Sequence, residues 1–151
     1  MKKMRLFMLL TVLMLCLSGI ASADTWEWVA SDDIIGGYYA RGSAVRLNDN
    51  RQTGHVKAWF KYQYEDENAR RKMGRIIKKY SDKDTSDFYF TVDQEEYKNV
   101  NGTIYYRTLN SYAYDHSQKL ICKLKRADSW KIVIPVTCGM AKYERALSDA
   151  R

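Results

Sequence analysis

The chain has 151 residues, 46% of them hydrophobic and 13% aromatic, and its 25 Lys and Arg against 18 Asp and Glu give a formal net charge of +7. That length is about one domain by the usual prior, and the apolar content excludes an intrinsically disordered chain. The longest apolar run falls short of the ~20 residues a spanning helix needs, which excludes an integral helical membrane protein.

Lys2, Lys3 and Arg5 form a basic start, Leu6 to Leu17 is an uncharged apolar run, and Ala21-Ser22-Ala23 is a small-residue site. That order predicts a secretory signal peptide over residues 1–23, cleaved between Ala23 and Asp24. Leu15 precedes Cys16, where a lipid-attachment site wants a small residue, which argues against a lipoprotein. The expected location is the periplasm, the cell surface or outside the cell. Residues 24–151 then form a single β-rich domain, enough for one core and too short for two.

Trp26 to Val29 alternates apolar with polar and reads as a strand; Gly37 to Ala40 and Ala44 to Leu47 read as two more. Residues 48–54 are a polar turn. His55 to Tyr64 carries the clearest pattern in the chain. Val56, Ala58, Phe60, Tyr62 and Tyr64 share one face, and His55, Lys57, Trp59, Lys61 and Gln63 share the other. Period two over ten residues predicts a strand with unlike faces.

The period then changes. Ala69, Met73, Ile76, Ile77 and Tyr80 recur at helical spacing, which predicts a helix over 65–80. Acidic residues at its start and Lys78 and Lys79 at its end complement the helix dipole. Gly74 weakens it by about 1 kcal/mol relative to Ala. Strands are predicted again over 88–92, 103–114, 119–125 and 130–134, with turns at Asn99 to Gly102 and at 115–118. Asn101-Gly102-Thr103 matches a glycosylation sequon, but the lysine-rich leader is bacterial in character, so Asn101-Gly102 reads as turn chemistry. Pro135 ends the last strand, and Thr137 is an expected N-cap for a final helix. Short turns rule out parallel crossovers. The predicted class is α+β: a small antiparallel β-sheet with a central and a C-terminal helix packed on it.

Candidate chemistry is sparse. His55 and His116 are the only histidines, and both fall in or beside turns, where solvated side chains are the ordinary case. No catalytic residue, metal ligand set or cofactor motif is assigned, and the chain is read as a non-enzyme. Cys122 and Cys138 remain after signal removal, and an even pair in an exported domain predicts a disulfide between them. The basic cluster from Arg70 to Lys79 lies close to acidic residues and reads as the solvated face of a helix, with no specific nucleic acid as partner. The candidate binding residues are Lys57, Trp59 and Lys61, because a Trp between two Lys offers apolar area and two charges to an acidic partner.

Several short motifs occur in a particular order. They are Trp28-Val29, Tyr38-Tyr39 followed by Ser43-Ala44-Val45-Arg46, Val56-Lys57-Ala58-Trp59-Phe60-Lys61, Tyr114-Asp115, Trp130, Ile134-Pro135 and Thr137, with Tyr143 in the last helix. In this order they resemble the surface-adhesin protein E family of exported bacterial proteins, over most of the mature chain. The resemblance implies a small antiparallel sheet packed with helix, and surface binding to a protein or other extracellular ligand rather than catalysis. The family's named member binds host matrix and serum proteins. Where such proteins carry a cysteine near the end of the last helix, this chain has Leu147 and Ser148, and its own Cys138 lies at the helix start. The expected function is thus an exported, non-enzymatic binding domain. The rivals are a periplasmic inhibitor of a cell-wall hydrolase and a secreted hydrolase or nuclease. A homodimer is left open.

Overall fold

The computed structural model describes residues 26–32, 34–47, 54–126 and 128–151. The expected signal peptide and its cleavage site at Ala23 and Asp24 lie outside the described residues. Among the described residues ten elements follow one another: β1 (Trp26–Ser31), β2 (Ile35–Ala40), β3 (Val45–Arg46), β4 (Val56–Tyr64), α1 (Glu67–Ser81), β5 (Phe88–Val100), β6 (Thr103–Asp115), β7 (Leu120–Lys125), β8 (Lys131–Ile132) and α2 (Cys138–Asp149). The strands form one antiparallel sheet in the order β1-β2-β4-β5-β6-β7, with β3 against β4 and β8 against β6. The architecture is α+β, with one central and one C-terminal helix.

Local chemistry explains the boundaries. Asp66 caps α1 by accepting the backbone N–H of Ala69 at 2.8 Å, satisfying one of the free donors of the first turn. Gly74 has a packing reason: a Cβ there would stand 3.1 Å from the Thr85 carbonyl oxygen. Thr85 Oγ1 donates to the Gly74 carbonyl at 2.8 Å and pins the following loop to the helix. Between β5 and β6, Asn101 and Gly102 have φ of 51° and 85°, the left-handed pair that a two-residue hairpin turn requires. Thr137 is the N-cap of α2, but its side chain makes no capping bond; its hydroxyl donates to the Ile134 carbonyl at 2.6 Å instead.

Both helices cover the same face of the sheet. α2 packs on β1, β2 and β4, and α1 on β4, β5 and β7. Under α2, Tyr39, Val56, Ala58, Phe60 and Tyr97 meet Tyr143 and Ala146. Under α1, Tyr64, Phe88 and Ala113 meet Ile77. Tyr62 touches both clusters. Full burial of a ring such as Phe60 stabilises the fold by roughly 1.5–3 kcal/mol.

Two expectations are corrected. Cys122 and Cys138 are free thiols rather than a bridge. Cys122 lies opposite Ala113 on β6. The neighbour of Cys138, Gly139, lies against the Val133 side chain, and Val133 bonds to Ile104 at the other end of β6. Residues 104 and 113 of one strand stand roughly 30 Å apart at ~3.3 Å per residue, far beyond disulfide reach. The last strand is also shorter than predicted, covering Lys131–Ile132 only, so Trp130 precedes it.

Candidate functional site

Side chains alternate between the two faces of a strand. With Val56, Ala58 and Phe60 under α2, the residues Lys57, Trp59, Lys61 and Gln63 must point away from both helices. All four are half-buried. The three residues predicted to bind therefore share one face, and neither α1 nor α2 covers it.

Register shows what that face adds. Trp28 pairs with Tyr38, Tyr38 with Lys61, Lys61 with Val92, Val92 with Tyr112 and Tyr112 with Lys123. One row thus crosses all six lanes, about 24 Å at ~4.8 Å per lane. Trp59, Gln94 and Asn110 form a second row, and Lys57, Glu96 and Arg107 a third. The sequence pointed to β4 alone. The partners on β1, β2, β5, β6 and β7 become visible only once the register is known.

The cations lie over rings. Lys61 Nζ is 4.6 Å from the Tyr38 ring centre, and Lys123 Nζ is 5.2 Å from that of Tyr112. Lys98 Nζ and the Arg107 guanidinium are 4.0 and 4.6 Å from Trp130. A ring face attracts a cation through its quadrupole, by about 0.5–2 kcal/mol. Burial lowers the Lys61 pKa below the ordinary lysine value, with Glu65 opposing. Trp59 is tilted against Tyr112 at 5.8 Å, and Trp28 is 63% exposed. Trp130 serves as a platform for Lys98 and Arg107.

Glu96 is the one carboxylate that alternation places on this face among the described strand residues. His55 Nε2 lies 2.6 Å from its Oε1, and Arg107 Nε donates to its Oε2 at 2.6 Å. Burial works to raise the Glu96 pKa, but the Arg107 and His55 hydrogen bonds and charges outweigh it and hold the carboxyl below the ordinary glutamate value. His55 is therefore engaged rather than solvated, and also meets the Trp130 edge. His116 is exposed, 2.9 Å from Asp87 and stacked on Tyr89.

Two other places hold charge. A trough of about 660 Å³ beside α1 is lined by Arg71, Arg75 and Lys78, with Glu67, Asp84 and His116 among its other walls. Beneath α2, Lys142 Nζ lies 3.0 Å from Glu95 Oε2, and the Tyr62 and Tyr97 hydroxyls also donate to that carboxylate. This buried network escaped the sequence reading, because Glu95 and Lys142 stand 47 positions apart in the chain. Among the described residues no group of three or more His, Cys, Asp or Glu is placed to hold a metal ion.

Comparison of the chain with protein-family models, curated proteins and solved structures gives no match. The site's chemistry must therefore be argued from its own residues. No helix among the described residues is long and apolar enough to cross a membrane.

Proposed function

We propose that this chain is an exported, non-enzymatic binding domain, similar in role to surface-adhesin proteins, that takes its ligand on the helix-free face of the sheet. The carrying observation is the row Trp28, Tyr38, Lys61, Val92, Tyr112, Lys123 on a face that α1 and α2 leave uncovered. A sheet that served only as scaffold would gain nothing from indoles and ammonium groups on its solvent side. Trp, Tyr and Arg are the residues enriched at binding hot spots, and Trp28, Trp59, Tyr38, Tyr112 and Arg107 lie on this face. The basic, apolar, small-residue order of residues 1–23 supports export, so the ligand belongs to the cell envelope or the space beyond it.

The test is capture from envelope and extracellular extracts by wild-type protein and by Trp59→Ala. Trp59 is half-buried and outside both core clusters, so the variant should fold with a melting temperature close to wild type. Capture should weaken at least about fivefold, the effect of losing a little over 1 kcal/mol at a hot spot. Equal capture by a folded Trp59→Ala and by Lys57→Gln/Lys61→Gln would remove the face from consideration.

A further inference from the structure

We infer that the helix-free face binds a linear acidic polysaccharide carrying carboxylate or sulfate groups along its length; this rests on the reading of that face as the binding site. The face is complementary in charge to such a ligand. Lys57, Lys61, Lys98, Arg107 and Lys123 lie on the face, and its one strand carboxylate, Glu96, is already paired with His55 and Arg107. Glu65, just past the end of β4, acts on Lys61, yet among the described residues of this face the five cations still outnumber Glu65 and Glu96. An anionic ligand supplies the balance.

The cations are also preorganised. A free lysine loses much rotamer freedom when it grips an anion. Here rings fix the ammonium groups beforehand: Tyr38 under Lys61, Tyr112 under Lys123, Trp130 under Lys98. Lys61 and Lys123 stand three lanes apart, about 14 Å, and Lys98 lies six positions along β5 from their row, about 20 Å; cations fixed at such separate points suit a ligand that repeats its anionic group. A single small anion would meet only one of them.

The state of the rings favours a polysaccharide over a single-stranded nucleic acid. Bases bind such surfaces by stacking on bare ring faces. On this face the rings of Tyr38, Tyr112 and Trp130 are already capped by cations from the same chain. What stays accessible is the Trp28 indole at the β1 edge and the uncovered part of the half-buried Trp59, whose row continues into the amides of Gln94 and Asn110, which join each other at 3.0 Å. Sugar rings offer C–H faces to indoles, hydroxyls to amides and acidic groups to ammoniums, so they use every group present without displacing one.

The experiment measures binding of four fluorescent probes to the chain: dextran sulfate, hyaluronate, neutral dextran and an oligo-dT strand. Dextran sulfate or hyaluronate should bind, weakening as salt rises, and which of the two binds better decides between sulfate and carboxylate. Neutral dextran should not bind. Lys61→Gln/Lys98→Gln/Lys123→Gln should weaken binding at least about tenfold, while Lys61→Arg/Lys98→Arg/Lys123→Arg retains it. Arg71→Gln/Arg75→Gln/Lys78→Gln removes the same charge from the trough beside α1 and should leave binding nearly unchanged. If the triple Gln variant of the face melts early, Lys123→Gln alone, at an exposed side chain, should still weaken binding severalfold. Equal loss from the face and trough variants would reduce the effect to net charge and overturn the inference. So would tighter binding of oligo-dT than of either acidic glycan, or no glycan binding at all. In that last case, Trp59-dependent capture of a protein from extracts would leave the parent reading of the face intact.

Discussion

Replacing Asp93 by Asn should change how stability depends on pH. Asp93 lies opposite Phe60 and Ser111 on the helix-covered face, and Ser111 Oγ donates to its Oδ1 at 2.6 Å. Burial pushes its carboxyl up to about 7; the Ser111 bond and Arg126 pull it down, and Glu95 adds to the rise. In the unfolded chain an aspartate titrates near 4. Between about pH 4 and pH 7 the folded state therefore holds more protons than the unfolded one, and stability falls as pH rises through that window, then levels off. At about 1.4 kcal/mol per pH unit the whole fall is roughly 4 kcal/mol, an upper bound because relaxation and water entry soften the burial. Asn keeps the acceptor for Ser111 without the charge. Asp93→Asn should thus show a flatter profile and be more stable than wild type by about 1–4 kcal/mol at about pH 8. That gain corresponds to roughly 3–12 °C in melting temperature. Thermal melts followed by circular dichroism from about pH 4.5 to pH 8 read it directly. A wild type whose stability falls no more than the variant's, or a variant less stable at about pH 8, would refute the reasoning.

Phe60→Ala should cost about 3–5 kcal/mol, because the ring is fully buried beneath α2, and chemical denaturation should show it. Lys142→Met should cost about 3–5 kcal/mol by stranding the Glu95 carboxylate. Adding Glu95→Gln should recover part of that in the same assay, and a single variant as stable as wild type would show the ion pair to be dispensable. Cys122 and Cys138 should both be alkylated in unreduced, denatured protein, with two added groups by mass spectrometry; one internal cross-link would contradict their placement at opposite ends of β6.

The sequence was most readable where one face is dry and the other wet. β4 obeys that rule, and alternation alone assigned Phe60 to the core side and Lys57, Trp59 and Lys61 to the other. α1 was equally plain, since apolar spacing and charged ends agreed to within two residues. β5 was read as 88–92 but runs to Val100, because Asp93, Glu95 and Glu96 broke the alternation. Their partners are Ser111, Lys142, His55 and Arg107, all distant in sequence, and without them three acids in a row of positions look like solvent-exposed chain. The same distance hid the extent of the candidate site. A cross-strand row is a property of register, and no local window contains it. The cysteine pair failed for a related reason: sixteen positions of sequence between Cys122 and Cys138 conceal that the chain runs along β8 to the far end of β6.

The place of α2 in the order of elements has a consequence for when the protein can become itself. Asp149 receives the Tyr39 hydroxyl at 2.5 Å and the Gly42 N–H at 3.0 Å, and Arg145 reaches Glu27. The first two strands are thus clamped by the last helix, across more than a hundred residues. Until Tyr143 and Ala146 arrive, Tyr39, Phe60 and Tyr97 lack their cover. Closing so long a loop is slow compared with forming local hairpins. A chain still emerging from a ribosome or threading a translocation channel would hold its strands as a loose, unlocked sheet. For a protein proposed to be exported, that late latch is useful: the native state forms only after α2 has come through.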